Sequence, residues 1–191
     1  MNPIYTIGYE KSKVEDLIST LTNNSIDVVV DVRSIPYSKY YPSYNKEYFG
    51  KKLHDNNIKY LFMGDKLGAK NFSLDTVEGS NKIDYSKIRM KKTFQEGINR
   101  LHNGIKKFNI CLFCSEKDPI FCHRNILICK ELKGYEVLHL YVYEETETST
   151  DAENRLLTLH GLEQDDMFLN HNDRLEKAYE LQSYKIAFEA E

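Results

Sequence analysis

The chain has 191 residues, a length at which one domain can bury roughly 70% of its unfolded surface, so a disulfide scaffold is unnecessary. Its 41% hydrophobic and 29% charged residues exclude the low-hydrophobicity class that stays disordered, and a net charge of -3 argues against a uniformly basic nucleic-acid-binding surface. No apolar run is long enough for a membrane span and "MNPIYTIGYEKS" lacks the charged-then-apolar signature of a signal peptide, so the expectation is a cytoplasmic protein with four reduced cysteines.

In chain order, "IYTIGYE" (4–10) predicts a buried strand ending at Gly8. Ser12 with Glu15 has the spacing of a capping box, and Val14, Leu17, Ile18 and Leu21 recur at helical spacing behind it. The valine-rich "SIDVVVDVRS" (25–34) suits a central strand covered on both faces. "SIPYSKYYPSYN" then predicts an ordered aromatic loop, Glu47 to Asp55 a short helix, "IKYLFM" (58–63) a third strand and "GDKLGAKNFSLDTVEGSNK" a polar insertion.

A long amphipathic helix is expected from Asp84, with Phe94, Gly97, Ile98, Leu101 and Ile105 on one face. "FNICLFC" (108–114) is a fourth strand, "NILICKEL" (125–132) has helical character and Gly134 suits the left-handed position after it. "YEVLHLYVY" (135–143) is a fifth strand, "EETETSTDAE" (144–153) a linker, and two helices follow, the second offering Leu175, Tyr179 and Ile186 to the body. Strands alternating with helices predict an α/β domain over residues 1–143, with a mostly parallel open sheet of about five strands flanked by helices. Residues 144–191 would add a linker and helices packed on the same globule.

Ligands of open parallel sheets bind beyond the carboxyl ends of the strands, which makes position more informative than residue type. Those ends carry Gly8, Tyr9 and Glu10; Asp31, Arg33 and Ser34; Gly64 and Asp65; and Cys114, Ser115 and Glu116. Asp31 and Arg33 share strand parity, compatible with a structural ion pair or with orienting a substrate. Gly8 suits either ligand approach or, better, a tight turn. In "CLFCSEKDPIFCHRN" (111–125), Cys111 and Cys129 read as core residues. Cys122 precedes an expected helix start that, with His123 and Arg124, would favour its thiolate.

Three specific chemistries meet this spacing badly. Cys111 and Cys114 fall on opposite faces of one strand, which spoils a zinc knuckle, although Cys114, Cys122 and His123 could hold a metal given a fourth ligand from elsewhere. A redox C-x2-C belongs at a helix start, and this one ends a strand. A phosphatase loop needs C-x5-R, but Ile120 and Ile128 stand six residues after Cys114 and Cys122. The reading therefore assigns no metal and no cofactor.

"YTIGYE", "VVVDVRSIPYSKY", "IKYLFMGDKLGAK" and "CLFCSEKDPIFCHR" with "VLHL", in that order, resemble the domain of unknown function 488 family across about residues 3 to 142. The resemblance implies a compact α/β domain of bacterial and archaeal type. Its pattern falls here on Thr6, Gly8, Asp31, Arg33, Ser34, Pro36, Ser38, Tyr60, Leu67, Gly68, Cys114, Glu116, Pro119, Cys122, His123 and Arg124. Lys39, Tyr9 and Glu10 depart from it.

The leading expectation is an enzyme or ligand-binding protein acting on a small anionic or nucleotide-like substrate. Gly8, Tyr9, Asp31, Arg33, Ser34, Ser38 and Arg124 would bind it, and Cys114, Glu116, Cys122 and His123 would move protons or supply a nucleophile. The alternatives are a nucleic-acid-associated module using the tyrosine loop and "KIRMKK" (87–92), and a structural zinc-binding domain.

Overall fold

The computed structural model describes residues 2–164 and 168–190. Strands β1 (Ile4–Gly8), β2 (Val28–Asp31), β3 (Lys59–Phe62), β4 (Ile110–Cys114), β5 (Val137–Leu140) and β6 (Glu147–Thr148) form one sheet in the order β3-β2-β4-β1-β5-β6. All pairings are parallel except that of β5 with β6. The architecture is the expected α/β layer sandwich with one strand more than anticipated. β6 comes from the segment read as a linker, where the Thr148 hydroxyl accepts from Asp151 N–H and the Asp151 carboxylate reaches back, starting α6 (Ser149–Leu159) with a capping box.

The sheet is covered on both faces, and the parity of β4 divides them. Leu112 and Cys114 join the layer built by α5 (Lys92–Ile105), α6 and α7 (His171–Ile186), whereas Cys111 and Phe113 join the layer of α1 (Val14–Asn23) and α2 (Lys46–His54). β2 and β4 are buried at every residue, as a central strand covered on both sides requires. Among the described residues no helix is long and apolar enough to cross a membrane.

Two expected helices take other forms. The helix anticipated from Asp84 is divided into α4 (Tyr85–Arg89) and α5, with Asp84 capping the first. At 3.6 residues per turn, Tyr85 and Ile88 would lie about half a turn away from Phe94, Ile98 and Leu101 on a continuous helix. The break at Met90 and Lys91 lets both sets face the core, at about 1.5–3 kcal/mol for each large apolar side chain buried. The stretch after Cys122 is a five-residue π-helical turn, Arg124–Ile128, followed by a 3-10 turn, Cys129–Glu131. It is too short and irregular to supply a sustained helix dipole.

The expected Ser12 capping box is absent, because Lys13 holds the N-cap of α1 without a side-chain bond and the Ser12 carbonyl accepts from the Tyr44 hydroxyl. Between β3 and α4, the insertion is anchored rather than purely polar: α3 (Gly64–Leu67) buries Leu67, and a 3-10 turn buries Ala69 and Phe72.

Candidate functional site

The carboxyl ends of the three central strands, β2, β4 and β1, meet beneath one loop. β4 ends at Cys114, and residues 115–118 lead into a 3-10 turn, Pro119–Phe121, whose start is capped by Asp118 accepting from Ile120 N–H at 3.1 Å. The loop is clamped from below by Arg124, which is fully buried. Its Nε donates to Thr6 Oγ1 at 3.3 Å, Nη1 to the carbonyl of Glu116 and Nη2 to that of Lys117 at 2.8 Å. Gly8 lies directly against this loop, where a β-carbon would stand 1.8 Å from the Glu116 carbonyl oxygen. Gly8 thus serves close approach by the chain itself.

Above the clamp, Cys114, Glu116, Cys122 and His123 present sulfur, oxygen and nitrogen atoms that all lie within 4.8 Å of one another. Glu116 Oε2 is 3.1 Å from Cys114 Sγ and 3.0 Å from Cys122 Sγ, and Oε1 accepts from Ser115 Oγ at 3.0 Å. His123 Nε2 is 3.0 Å from the Val32 carbonyl, which can only accept. The neutral ring therefore carries its proton on Nε2 and turns the bare Nδ1 lone pair toward Cys114 Sγ, 3.7 Å away.

This crowding separates the two thiols. Burial, reinforced by Cys122, pushes Cys114 well above the ordinary thiol range. Burial also opposes ionisation of Cys122, but hydrogen bonding from Cys114 and the charges of Arg124 and His123 outweigh it and hold Cys122 well below that range. Burial and the neighbouring Cys122 raise Glu116. Cys122 and Glu116 thus meet at 3.0 Å with their proton affinities shifted toward each other. For His123, burial works against the charged form, yet Cys122 and Glu116 leave it raised overall. Cys111 and Cys129 are buried away from the cluster, and burial pushes Cys129 up to about 12, the state of inert core thiols.

The cluster floors a cavity of about 700 Å³, within the usual range of small-molecule pockets. Cys114, Glu116 and His123 reach it, while Cys122 is behind them. One wall is aromatic: Tyr9 stacks on Tyr44 at 4.4 Å and meets Tyr41 edge-on at 5.4 Å. Arg33 lies in this wall, its Cζ 4.9 Å from the Phe113 ring centroid and 5.3 Å from that of Tyr9. Two of its nitrogens are committed: Nε to Asp31 Oδ1 at 3.0 Å, and Nη2 to Asp31 Oδ2 at 2.6 Å and to the Tyr44 carbonyl at 2.9 Å. Nη1 is buried and makes no hydrogen bond of normal length, the Tyr9 hydroxyl also acts on the guanidinium, and Arg33 lines the cavity.

The residues singled out from sequence divide by place. Tyr9, Arg33, Ser34, Ser38, Cys114, Glu116 and His123 line the cavity. Asp31 lies beneath it, fully buried and bonded to Arg33 and, at 2.6 Å, to the Tyr60 hydroxyl. Gly8, Cys122 and Arg124 also support from behind. Ser34 Oγ accepts from Lys70 N–H, and Ser38 Oγ from Tyr41 N–H, so both hydroxyls shape the lining loops. Sequence reasoning missed Lys70, Tyr85 and the far wall, Ile186 and Phe188. Only Ile186 carried a signal, as an apolar residue offered to the body. In "KIRMKK", Lys87 donates to the Thr76 carbonyl, while Arg89 and Lys91 pair with Glu131 and Asp75.

No curated protein and no solved structure gives a match to this chain. A family model does: the domain of unknown function DUF488 matches residues 13–130, a stretch that contains β2, β3, β4 and all four residues of the cluster, and the chain belongs to that family.

Proposed function

We propose that the protein is an enzyme acting on a small anionic substrate with a planar ring, nucleotide-like in outline, held in the cavity beyond β2, β4 and β1. The observation that carries this reading is the Arg33 guanidinium. Asp31 and Tyr44 hold it rigidly, and its Nη1, which carries two N–H donors, is buried without a hydrogen bond of normal length, in a residue that lines the cavity floored by Cys114, Glu116 and His123. A buried donor without an acceptor costs about 1–3 kcal/mol, and an anionic oxygen in the cavity would remove that cost. Tyr37, Tyr40 and Tyr41 also line the cavity and offer aromatic surface on which a ring can stack.

Thermal-shift and calorimetric titrations with inorganic phosphate and nucleoside monophosphates test the reading. Stabilisation by the nucleotides, stronger than by phosphate and at least tenfold weaker in affinity in Arg33→Lys, is the expected result. Turnover of a bound substrate should disappear in Glu116→Gln and Cys114→Ser while the fold persists. If millimolar nucleotides and phosphate leave the melting temperature unchanged, the reading fails.

A further inference from the structure

We propose that Cys114, Cys122 and His123 bind a zinc-type divalent ion, with Glu116 at its fourth position, on the floor of the cavity. The inference rests on the reading of that floor as a reactive centre and adds its cofactor class. Four donors of types that zinc prefers converge with no other metal-binding residue between them, two sulfurs, one ring nitrogen and one carboxylate oxygen.

The geometry is close to what an ion needs. Tetrahedral arms of about 2.0–2.3 Å give donor-to-donor edges of about 3.3–3.8 Å. Three of the six donor pairs lie at 3.0 Å (Cys122 with Glu116), 3.1 Å (Cys114 with Glu116) and 3.7 Å (Cys114 with His123), and all six lie within 4.8 Å, so small side-chain shifts would bring the set to such edges. The outer support is in place as well. The Val32 carbonyl takes the Nε2 proton of His123 and aims Nδ1 inward, the arrangement by which metal-binding histidines are fixed. Position explains what sequence spacing obscured: Cys111 points to the opposite layer, so the pair to Cys114 is Cys122, and the fourth donor is only two residues from Cys114.

Charge points the same way. Arg124 is fully buried; its short hydrogen bonds go to a hydroxyl and two backbone carbonyls, and the anionic groups that act on it are those of the cluster itself, Cys122, Cys114 and Glu116. Among the described residues it forms no salt bridge with a carboxylate. An ion of charge +2 bound by two thiolates, one carboxylate and a neutral imidazole leaves a net -1 beside this guanidinium, which neutralises the buried assembly. Binding releases to solvent the Cys114 proton and the proton held by the Cys122–Glu116 pair. Because Glu116 and His123 face the cavity and Cys122 does not, the ion would be reached from the cavity side, where Glu116 can yield its position to a water or a substrate oxygen.

The test uses the full chain and no anionic ligand, so its outcome is separate from that of the nucleotide titrations. Elemental analysis after expression in zinc-supplemented medium should find about one zinc per chain. Titration of the chelator-treated, reduced protein with cobalt(II) should produce thiolate-to-metal absorption in the near ultraviolet and intense visible bands that saturate at one equivalent. Cys122→Ser and His123→Ala should lower metal content at least tenfold, whereas Cys129→Ser, which removes a buried thiol outside the cluster, should retain it. Circular dichroism checks that each variant folds. A folded wild-type protein that purifies without zinc and gives no cobalt-thiolate bands overturns the proposal whatever the variants do.

Discussion

Arg33 and Arg124 are both buried arginines at the carboxyl ends of neighbouring central strands, and they do opposite things. Arg124 directs its donors to Thr6 and to the carbonyls of Glu116 and Lys117, which makes it the inner support of the reactive loop. Arg33 is oriented by Asp31 and Tyr44 and leaves Nη1 without a hydrogen bond of normal length in the cavity wall. Burial and charge are alike in the two arginines. The unmatched donor is what sets Arg33 apart as the proposed ligand contact.

This contrast is open to direct attack. Arg124→Met strands two carbonyls and the Thr6 hydroxyl, so it should destabilise the protein by about 3–5 kcal/mol and lower its melting temperature by roughly 10 °C or more, measured by urea and thermal unfolding. A loss below about 1 kcal/mol would erase the distinction. Gly8→Ala forces a methyl group against the same loop and should destabilise by about 2–3 kcal/mol, with the Glu116 region showing the largest change in hydrogen exchange. Arg33→Lys should be milder, because the charge remains beside Asp31. A stability loss of about 1–2 kcal/mol is expected, less than for Arg124→Met, together with the tenfold loss of anion affinity.

The Arg124 side also predicts a pH dependence. Thr6 accepts from Arg124, so its own hydroxyl proton is directed at His139 Nδ1, 2.8 Å away. Burial, with the charges of Arg124 and Arg155, pulls His139 from 6.5 down to about 3. Folded His139 therefore stays neutral where the unfolded chain takes up a proton. Its contribution is complete above about pH 6.5 and is lost as pH falls toward 3, with a slope of up to about 1.4 kcal/mol per pH unit. The difference in urea midpoint between the wild type and His139→Gln should narrow steadily between pH 7 and 5. The smallest effect is expected far from both arginines. Thr148→Ala removes the α6 capping box and should cost about 1 kcal/mol in the same unfolding measurements without changing anion or metal binding.

Much of this fold was legible in the residues because its strongest signals are periodic. Val28 to Asp31 and Ile110 to Cys114 read as buried strands, and strand parity alone separates Cys111 from Cys114. What escaped was set by contacts across the chain. The half-turn phase error between Tyr85 and Phe94 breaks a helix whose two pieces look continuous, and the two residues of β6 pair with β5 through backbone bonds that polar side chains do not announce.

The site shows the same limit. Cys114 and Glu116 are legible from their place at a strand end and Cys122 and His123 from an expected helix start, and the structure brings the four together. The roles of Arg33 and Arg124 were not separable, because both depend on which acceptors the fold delivers to each guanidinium. Asp31 reads equally well as a partner or a contact until Tyr60 and Arg33 are seen to occupy its oxygens.

The far side of the cavity carries a consequence for diversity within the family. Cys114, Glu116 and His123 lie inside the matched stretch 13–130, whereas Ile186 and Phe188 lie outside it, on the end of α7 and just beyond. Gln182 of the same helix bonds the Ile120 carbonyl of the reactive loop at 2.6 Å, tying that roof to the floor. On the proposed reading, chemistry and selectivity are therefore encoded in separable parts of the chain: a relative with a different closing helix would keep the same cluster and admit a molecule of another shape.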